Sequence, residues 1–239
     1  GDDAGVGGRY GLGGAMINGR TKLVGIIGNP VGHTLSPAMH NAAAADLGLN
    51  LAYVPLPVRP EELAAAIPAL PVLGFLGVNV TVPFKQTAML LLDEIEAGAR
   101  AIGAINTVVV ERQHGGGANL RGFNTDWSGF MADLAEKGVA VNGRDCLVLG
   151  AGGSARAVAY GLLTEGANVQ VLARRIEQAR DLVGALLPYF NHASLFYRGL
   201  AALPRLAAGT TAPLIINTTP LGMLPKTDHS VWPKTVTFP

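Results

Sequence analysis

The chain has 239 residues, of which 49% are hydrophobic and 15% charged, with a formal net charge of +1. That composition predicts large buried cores and excludes a disordered chain. The near-zero charge leaves no footprint for nucleic acid or anionic lipid, so the expected partner is a small molecule.

The first 15 residues, GDDAGVGGRYGLGGA, are glycine-rich, begin acidic and lack a signal peptide's apolar core, so they read as a disordered stub before Met16. TKLVGIIGNP then reads as a strand stopped by Gly28, Asn29 and Pro30. SPAMHNAAAADLG reads as a helix with Ser36 at the N-cap, Pro37 at the first helical position and Gly48 past the end. LNLAYVPLPV is a second strand and PEELAAAI a second helix. GVNVTVPFK, residues 77–85, alternates Val78, Val80, Val82 and Phe84 with Asn79, Thr81, Pro83 and Lys85. A strand sends alternate side chains to opposite faces, so a third strand here has one apolar wall and one wall of amide, hydroxyl and ammonium groups. QTAMLLLDEIEAGARAIG reads as a third helix and AINTVVVER as a fourth strand, and the loop QHGGGAN is placed as a domain junction. Residues 63–84 carry no charge and match a membrane span in length, but Pro68, Pro71 and Pro83 break any single helix there.

Beyond the junction, TDWSGFMADLAEKG is a helix. RDCLVLGAGGSARAVAYGLLTEGANVQVLARR follows as strand, glycine turn, helix and strand. APLIINTTPLGM is a further strand that ends in turn residues. Strands alternating with helices give an α/β fold: a substrate domain with a mostly parallel sheet over residues 16–119, and a Rossmann-type dinucleotide domain over residues 120–239. The lone cysteine, Cys146, excludes an intramolecular disulfide, fits a reducing cytoplasm and falls in an apolar strand as a buried, inert thiol. The five histidines show no ligand spacing, so no metal site is expected.

Gly150, Ala151, Gly152, Gly153, Ser154 and Ala155 fit G-x-G-x-x-[GA] directly after a strand and at the opening of a helix. The first glycine permits the turn and the second lets the backbone approach a pyrophosphate, which the helix N-terminus faces. The next strand ends in Ala173, Arg174 and Arg175, where an NAD site usually carries an acid. A guanidinium there can hold the extra 2′-phosphate of NADP, so the expected cofactor is NADP(H).

Thr34 and Ser36, Asn79 and Thr81, Lys85, Asn106 and Asp126 all fall at predicted strand ends or helix starts. Ser36 has two readings, a helix cap and a carboxylate ligand. Asp126 and Thr125 can cap the following helix. Asn79 and Thr81 can stand on an exposed sheet edge. Taken together, the set offers hydroxyls and amides for a polyhydroxylated ligand, and a Lys and an Asp for proton transfer.

The motifs T-x-S-P-x-x-H-N (residues 34–41), N-V-T-x-P-x-K (79–85), G-A-I-N-T (103–107), N-T-D (124–126), G-A-G-G-S-A-R (150–156) and N-T-T-P-L-G-M (217–223) stand in register. In that order and spacing the chain closely resembles the shikimate dehydrogenase family, from about residue 21 to its end. The resemblance implies NADPH-dependent, reversible reduction of 3-dehydroshikimate to shikimate, a step toward chorismate and the aromatic amino acids. It implies a cytoplasmic enzyme, monomer or homodimer, without nucleic-acid or membrane partners. It assigns the substrate carboxylate to Thr34 and Ser36. The ring hydroxyls go to Asn79, Thr81, Asn106 and Asp126, and acid–base catalysis to Lys85 beside Asp126. The pyrophosphate goes to Gly150, Ala151, Gly152, Gly153 and Ser154, the adenosine phosphate to Ala173, Arg174 and Arg175, and the nicotinamide edge to Thr218 and Thr219. Thr34 stands where shikimate-specific members usually have Ser, which leaves quinate dehydrogenation, with NAD or relaxed cofactor use, as the alternative. The chain stops at TVTFP, before a strand and helices that the family pattern adds, so an incomplete dinucleotide sheet with an open edge is expected.

Overall fold

The computed structural model describes residues 17–190, 192–209, 213–223 and 227–232, so the N-terminal stub lies outside the described residues. The chain forms two sheets. The first takes β1 (Lys22–Gly28), β2 (Leu51–Pro57), β3 (Phe75–Val80), β4 (Glu94–Ile95), β5 (Thr107–Arg112) and β6 (Ala118–Phe123), in the order β2-β1-β3-β5-β6-β4. β1 runs parallel to β2 and β3, and β4 parallel to β6, while β5 is antiparallel to both its neighbours. Around it lie α1 (Ser36–Asp46), α2 (Leu63–Ala69) and α3 (Ala97–Ile102). Ile27, Val78, Val80 and Val108 pack against Leu63, Ile67 and Leu70 to form its core.

α4 (Asp126–Glu136) leads to the second sheet, of β7 (Asp145–Leu149), β8 (Asn168–Ala173), β9 (Leu195–Gly199) and β10 (Leu214–Asn217), all parallel in the order β10-β7-β8-β9. α5 (Gly153–Thr164) and α6 (Ile176–Leu186) cover one face through Val148, Leu162, Val171 and Leu182. α7 (Leu203–Gly209) covers the other through Leu149, Leu172 and Leu203. This is the expected α/β architecture, with a Rossmann-type second half. β10 and β9 are the edge strands of this sheet among the described residues. Cys146 is fully buried in β7, and burial pushes its thiol up to about 11, which leaves it an inert core residue. Among the described residues no helix is long and apolar enough to cross a membrane.

Four local expectations are corrected. The stretch at residues 113–119 is no domain junction: residues 113–117 are the turn of the β5–β6 hairpin, with Gly115, Gly116 and Gly117 at φ of 102, 96 and 94°, and residues 118–119 already belong to β6. The chain crosses between the sheets at Asn124 and Thr125 instead. The expected helix over residues 86–103 divides into a 3₁₀ turn (Thr87–Leu91), β4 and α3. Its middle is claimed by the sheet: the Asp93 carboxylate accepts from Leu120 N at 2.7 Å, Glu96 N donates to Gly122 O, and the Glu96 side chain caps α3. The expected third strand ends at Val80: Thr81 N makes the last ladder bond, to Ile27 O, and residues 81–85 then turn away, with Phe84 N donating to Thr81 O. Ser36 is the first helical residue of α1, not its N-cap; Leu35 occupies the cap without a side-chain hydrogen bond.

Two glycines set the spacing of the first sheet. A Cβ at Gly77 would sit 2.4 Å from Val108 O, and one at Gly25 would sit 2.5 Å from Val54 O, both backbone atoms that cannot yield cheaply. Gly77→Ala is expected to cost about 1–3 kcal/mol and to lower Tm by several degrees in a melting experiment. An unchanged Tm would contradict this reading of the β3–β5 spacing.

Candidate active site

The carboxyl ends of β1, β3 and β6, the amino end of the antiparallel β5 and the start of α4 meet at one crevice. The turn after β3 delivers Lys85, whose carbonyl accepts from Ile105 N at 2.7 Å. The turn after β6 delivers Asp126, fixed by a bond of 3.0 Å from its own N–H to Asn124 Oδ1, while Asn124 Nδ2 donates to Ala104 O. The two side chains, 41 residues apart in sequence, meet with Lys85 Nζ 2.5 Å from Asp126 Oδ2. They are 13% and 31% exposed, so the ammonium is nearly enclosed while the carboxylate still touches solvent. A pair so placed can hold a proton on Lys85 and renew it from water through Asp126.

Asn106 holds the other carboxylate oxygen, donating to Asp126 Oδ1 at 2.9 Å and to Thr125 Oγ1 at 2.8 Å. Its own oxygen accepts from Thr125 N and from the Thr107 hydroxyl. Asn106, 9% exposed, is thus spent on orienting its neighbours. Asn79, the last outward residue of β3, donates to Asn106 O and Thr107 Oγ1 and accepts from the Tyr53 hydroxyl at 2.7 Å. Burial pushes the Tyr53 phenol up to about 12 and the Ser36 hydroxyl draws it back, so Tyr53 stays a neutral donor. Its ring stacks on His40 with centroids 4.4 Å apart, and the Asn41 amide clamps both its N–H and its carbonyl. Ser36 also accepts from Thr34 Oγ1 at 3.2 Å, at the opening of α1. Thr81 packs its methyl where a Cβ on Gly28 would come within 2.4 Å of it.

A continuous polar run therefore joins Thr34, Ser36, Asn79, Asn106, Asp126 and Lys85. Tyr53, Asn41, Thr107 and Thr125 support it, and the sequence reading gave none of them a site role. His40 and Asn41 lie inside the T-x-S-P-x-x-H-N motif and Asn124 and Thr125 inside N-T-D, so the motifs held the signal. Tyr53, standing in an ordinary apolar strand, gave none.

The glycine turn faces this crevice. Gly150, with φ +120°, has no room for a Cβ, which would lie 2.5 Å from Thr218 Oγ1; Thr218 in turn donates to Leu149 O at 2.7 Å. Gly152, at the N-cap of α5, has open space where its Cβ would be, and the first-turn N–H groups beyond it have no intrahelical acceptor. A Cβ on Gly153 would sit 3.1 Å from both Cβ and Cδ of Lys85, so this helix start rests on the lysine stem. Ala173 is buried at the end of β8, and Arg174 and Arg175 follow it, exposed and without an ion pair among the described residues. Thr219 donates to Asn217 Oδ1, closing the turn after β10. An open N-terminal helix turn with two free guanidiniums beside it fits a phosphorylated dinucleotide.

Comparison with known proteins bears on the same residues. The profile of the shikimate dehydrogenase substrate binding domain matches residues 26–108. The chain is 44% identical over 211 residues to the NADP(+) shikimate dehydrogenase of Carboxydothermus hydrogenoformans, covering 87% of this chain and 71% of that one. It superimposes on a crystal structure of shikimate dehydrogenase in complex with NADP+ at a TM-score of 0.81 with 39% identity, over 92% of this chain and 74% of the other. The enzyme from Thermus thermophilus, solved with NADP(H) and shikimate, aligns at a TM-score of 0.73 with 34% identity, over 89% and 74% of the two chains.

Proposed function

The chain belongs to the shikimate dehydrogenase family, and from that premise we propose which of its residues carry the reaction. It is an NADP-dependent oxidoreductase acting on a CH–OH group, interconverting 3-dehydroshikimate and shikimate on the route to chorismate and the aromatic amino acids. The first sheet, through Phe123, takes the substrate, and the second takes the cofactor. Thr34 and Ser36 receive the substrate carboxylate, where the opening of α1 adds positive potential. Asn79, Thr81 and Asp126 face the ring hydroxyls, and Asn106 acts mainly by aiming Asp126.

The observation that carries this reading is the Lys85–Asp126 pair, 2.5 Å apart, with the glycine turn of α5 pressed against the lysine stem. When bound, the nicotinamide supplies the hydride in reduction and accepts it in oxidation. Reduction puts negative charge on the ring oxygen, and the Lys85 ammonium both stabilises that charge and gives up its proton to it. Asp126 aims the Lys85 ammonium, and its solvent-facing edge returns the proton. Gly150, Ala151, Gly152, Gly153 and Ser154 hold the pyrophosphate, and Arg174 and Arg175 the adenosine phosphate beside Ala173. Thr218 props the turn from below, and Thr219 lies at the nicotinamide side. The enzyme works in the cytoplasm as a monomer or homodimer, without nucleic-acid or membrane partners.

The test is kcat/KM for shikimate and quinate, each with NADP+ and NAD+. Shikimate with NADP+ is expected to lead every other combination by more than about tenfold. A lead for quinate would show that the Thr34 methyl marks the quinate enzyme, and a lead for NAD+ would overturn the arginine argument.

A further inference from the structure

The first turn of α5 reaches back toward the first sheet at two places one helical turn apart, Gly153 and Arg156, which share a face of the helix. Gly153 bears on the Lys85 stem. Arg156 extends along the same face to the carbonyl end of α3, where Nη1 donates to Ile102 O at 3.4 Å. Gly103, at φ +70°, closes α3 there, and a Cβ on it would lie 3.1 Å from Nη1, so the absence of a side chain opens the slot for the guanidinium. Ile102, Ala104 and Ala157 form the small buried contact around it, with Trp127 and Tyr160 against them.

This is a costly way to fill an interface. Arg156 Nε is buried without a hydrogen-bond partner among the described residues, and burial lowers the guanidinium's pKa while Asp181 raises it. An unbranched apolar chain would occupy the slot without that desolvation. What the charge does instead is grip one end of a short segment. Within four residues of Ile102 that segment supplies Ala104 O to Asn124, Ile105 N to Lys85 O, and the Asn106 amide to Asp126.

Resting on the functional reading above, we propose that Arg156 is a positioning residue for hydride transfer. It fixes the cofactor-holding turn of α5 to the segment that aligns Lys85 and Asp126, so the two reacting carbons are held at transfer distance. It touches neither substrate nor the catalytic pair.

Arg156→Met keeps the length of the side chain and removes its charge and donors. Misalignment of the two halves is expected to lower kcat about 10- to 100-fold while KM for shikimate and for NADP+ stays within about threefold of native. The primary deuterium isotope effect with shikimate labelled at the oxidised carbon should increase, because hydride transfer becomes the slow step. Arg156→Lys, which restores a cation and a donor, should recover most of the loss. An unchanged kcat and isotope effect in Arg156→Met, or a loss confined to KM, would overturn the proposal. Should Arg156→Met melt below the assay temperature, Arg156→Ala titrated with millimolar guanidinium chloride carries the test: saturable recovery of kcat supports it and no recovery overturns it. Lys85→Met is assayed in parallel; its full activity would remove the functional reading itself, whatever Arg156 does.

Discussion

Replacing Lys85 with methionine is expected to lower kcat by about 10³-fold while leaving KM for shikimate and NADP+ within about threefold of native. The lysine sits 2.5 Å from Asp126, and its proton is needed only as charge develops on the ring oxygen, so its loss strikes the transition state more than the ground state. In the proposed assignment other groups hold substrate and cofactor: the hydroxyls opening α1, the Asn79 amide, and the turn of α5. Asp126→Asn should lose activity on a similar scale, and the double variant should lose little more than either single one, because the two side chains act as a unit. The fold should survive these changes. Asp126 is 31% exposed and keeps its bond from Asn106, so its carboxylate is not stranded in an apolar interior. Steady-state kinetics together with a melting curve decide the matter. A Lys85→Met protein of native kcat would take the lysine out of the chemistry.

The second large effect concerns the cofactor. Changing Arg174 and Arg175 together to alanine is expected to raise KM for NADP+ by about 30- to 100-fold and to leave KM for NAD+ nearly unchanged. At so exposed a site solvent screening holds the pair's joint contribution to about 2–3 kcal/mol, and every 1.4 kcal/mol is a factor of ten. Both side chains are exposed at the end of β8, and no acid pairs with either among the described residues, so nothing competes with a 2′-phosphate for them. Gly150 N donates to Leu172 O at 2.8 Å, which ties this strand end to the glycine turn where the pyrophosphate is proposed to lie. An equal rise for both nucleotides would mean that the arginines support the fold and do not read the phosphate.

The site was legible in the sequence where its chemistry is packed into short motifs. Asn79, Thr81 and Lys85 stand within seven residues, and Gly150 to Ala155 follow a strand directly, so local spacing marks them as candidates whose roles the family resemblance then supplies. The path of the chain between motifs was less legible. Alternation from Val78 to Phe84 reads as one strand, yet the strand stops at Val80 and Phe84 N donates to Thr81 O in a turn. β1 ends at Gly28 and β5 begins at Thr107, and local pattern carries no record of where those distant partners stop. The same holds for residues 93–96, which a helical pattern hides and the β6 backbone claims. The hairpin over residues 113–119 looked like a linker because three glycines in a row signal a break in structure as well as a tight turn. Ser36 looked like a cap because its residue type and the following proline suit one, whereas its hydroxyl is engaged by Thr34 and Tyr53. Tyr53 itself, 26 residues from Asn79, has no sequence signature at all. Its role follows only from the parallel pairing of β1 with both β2 and β3, which lines the three strands side by side.

The most direct test is a crystal structure of the complex with shikimate and NADPH, two species that bind together without reacting. The hydroxyl at the carbon to be oxidised should lie within hydrogen-bond distance of Lys85 Nζ, with the nicotinamide on the face of the ring toward the start of α5. A complex in which that hydroxyl points away from both Lys85 and Asp126, with either group left in bulk water, would contradict the account.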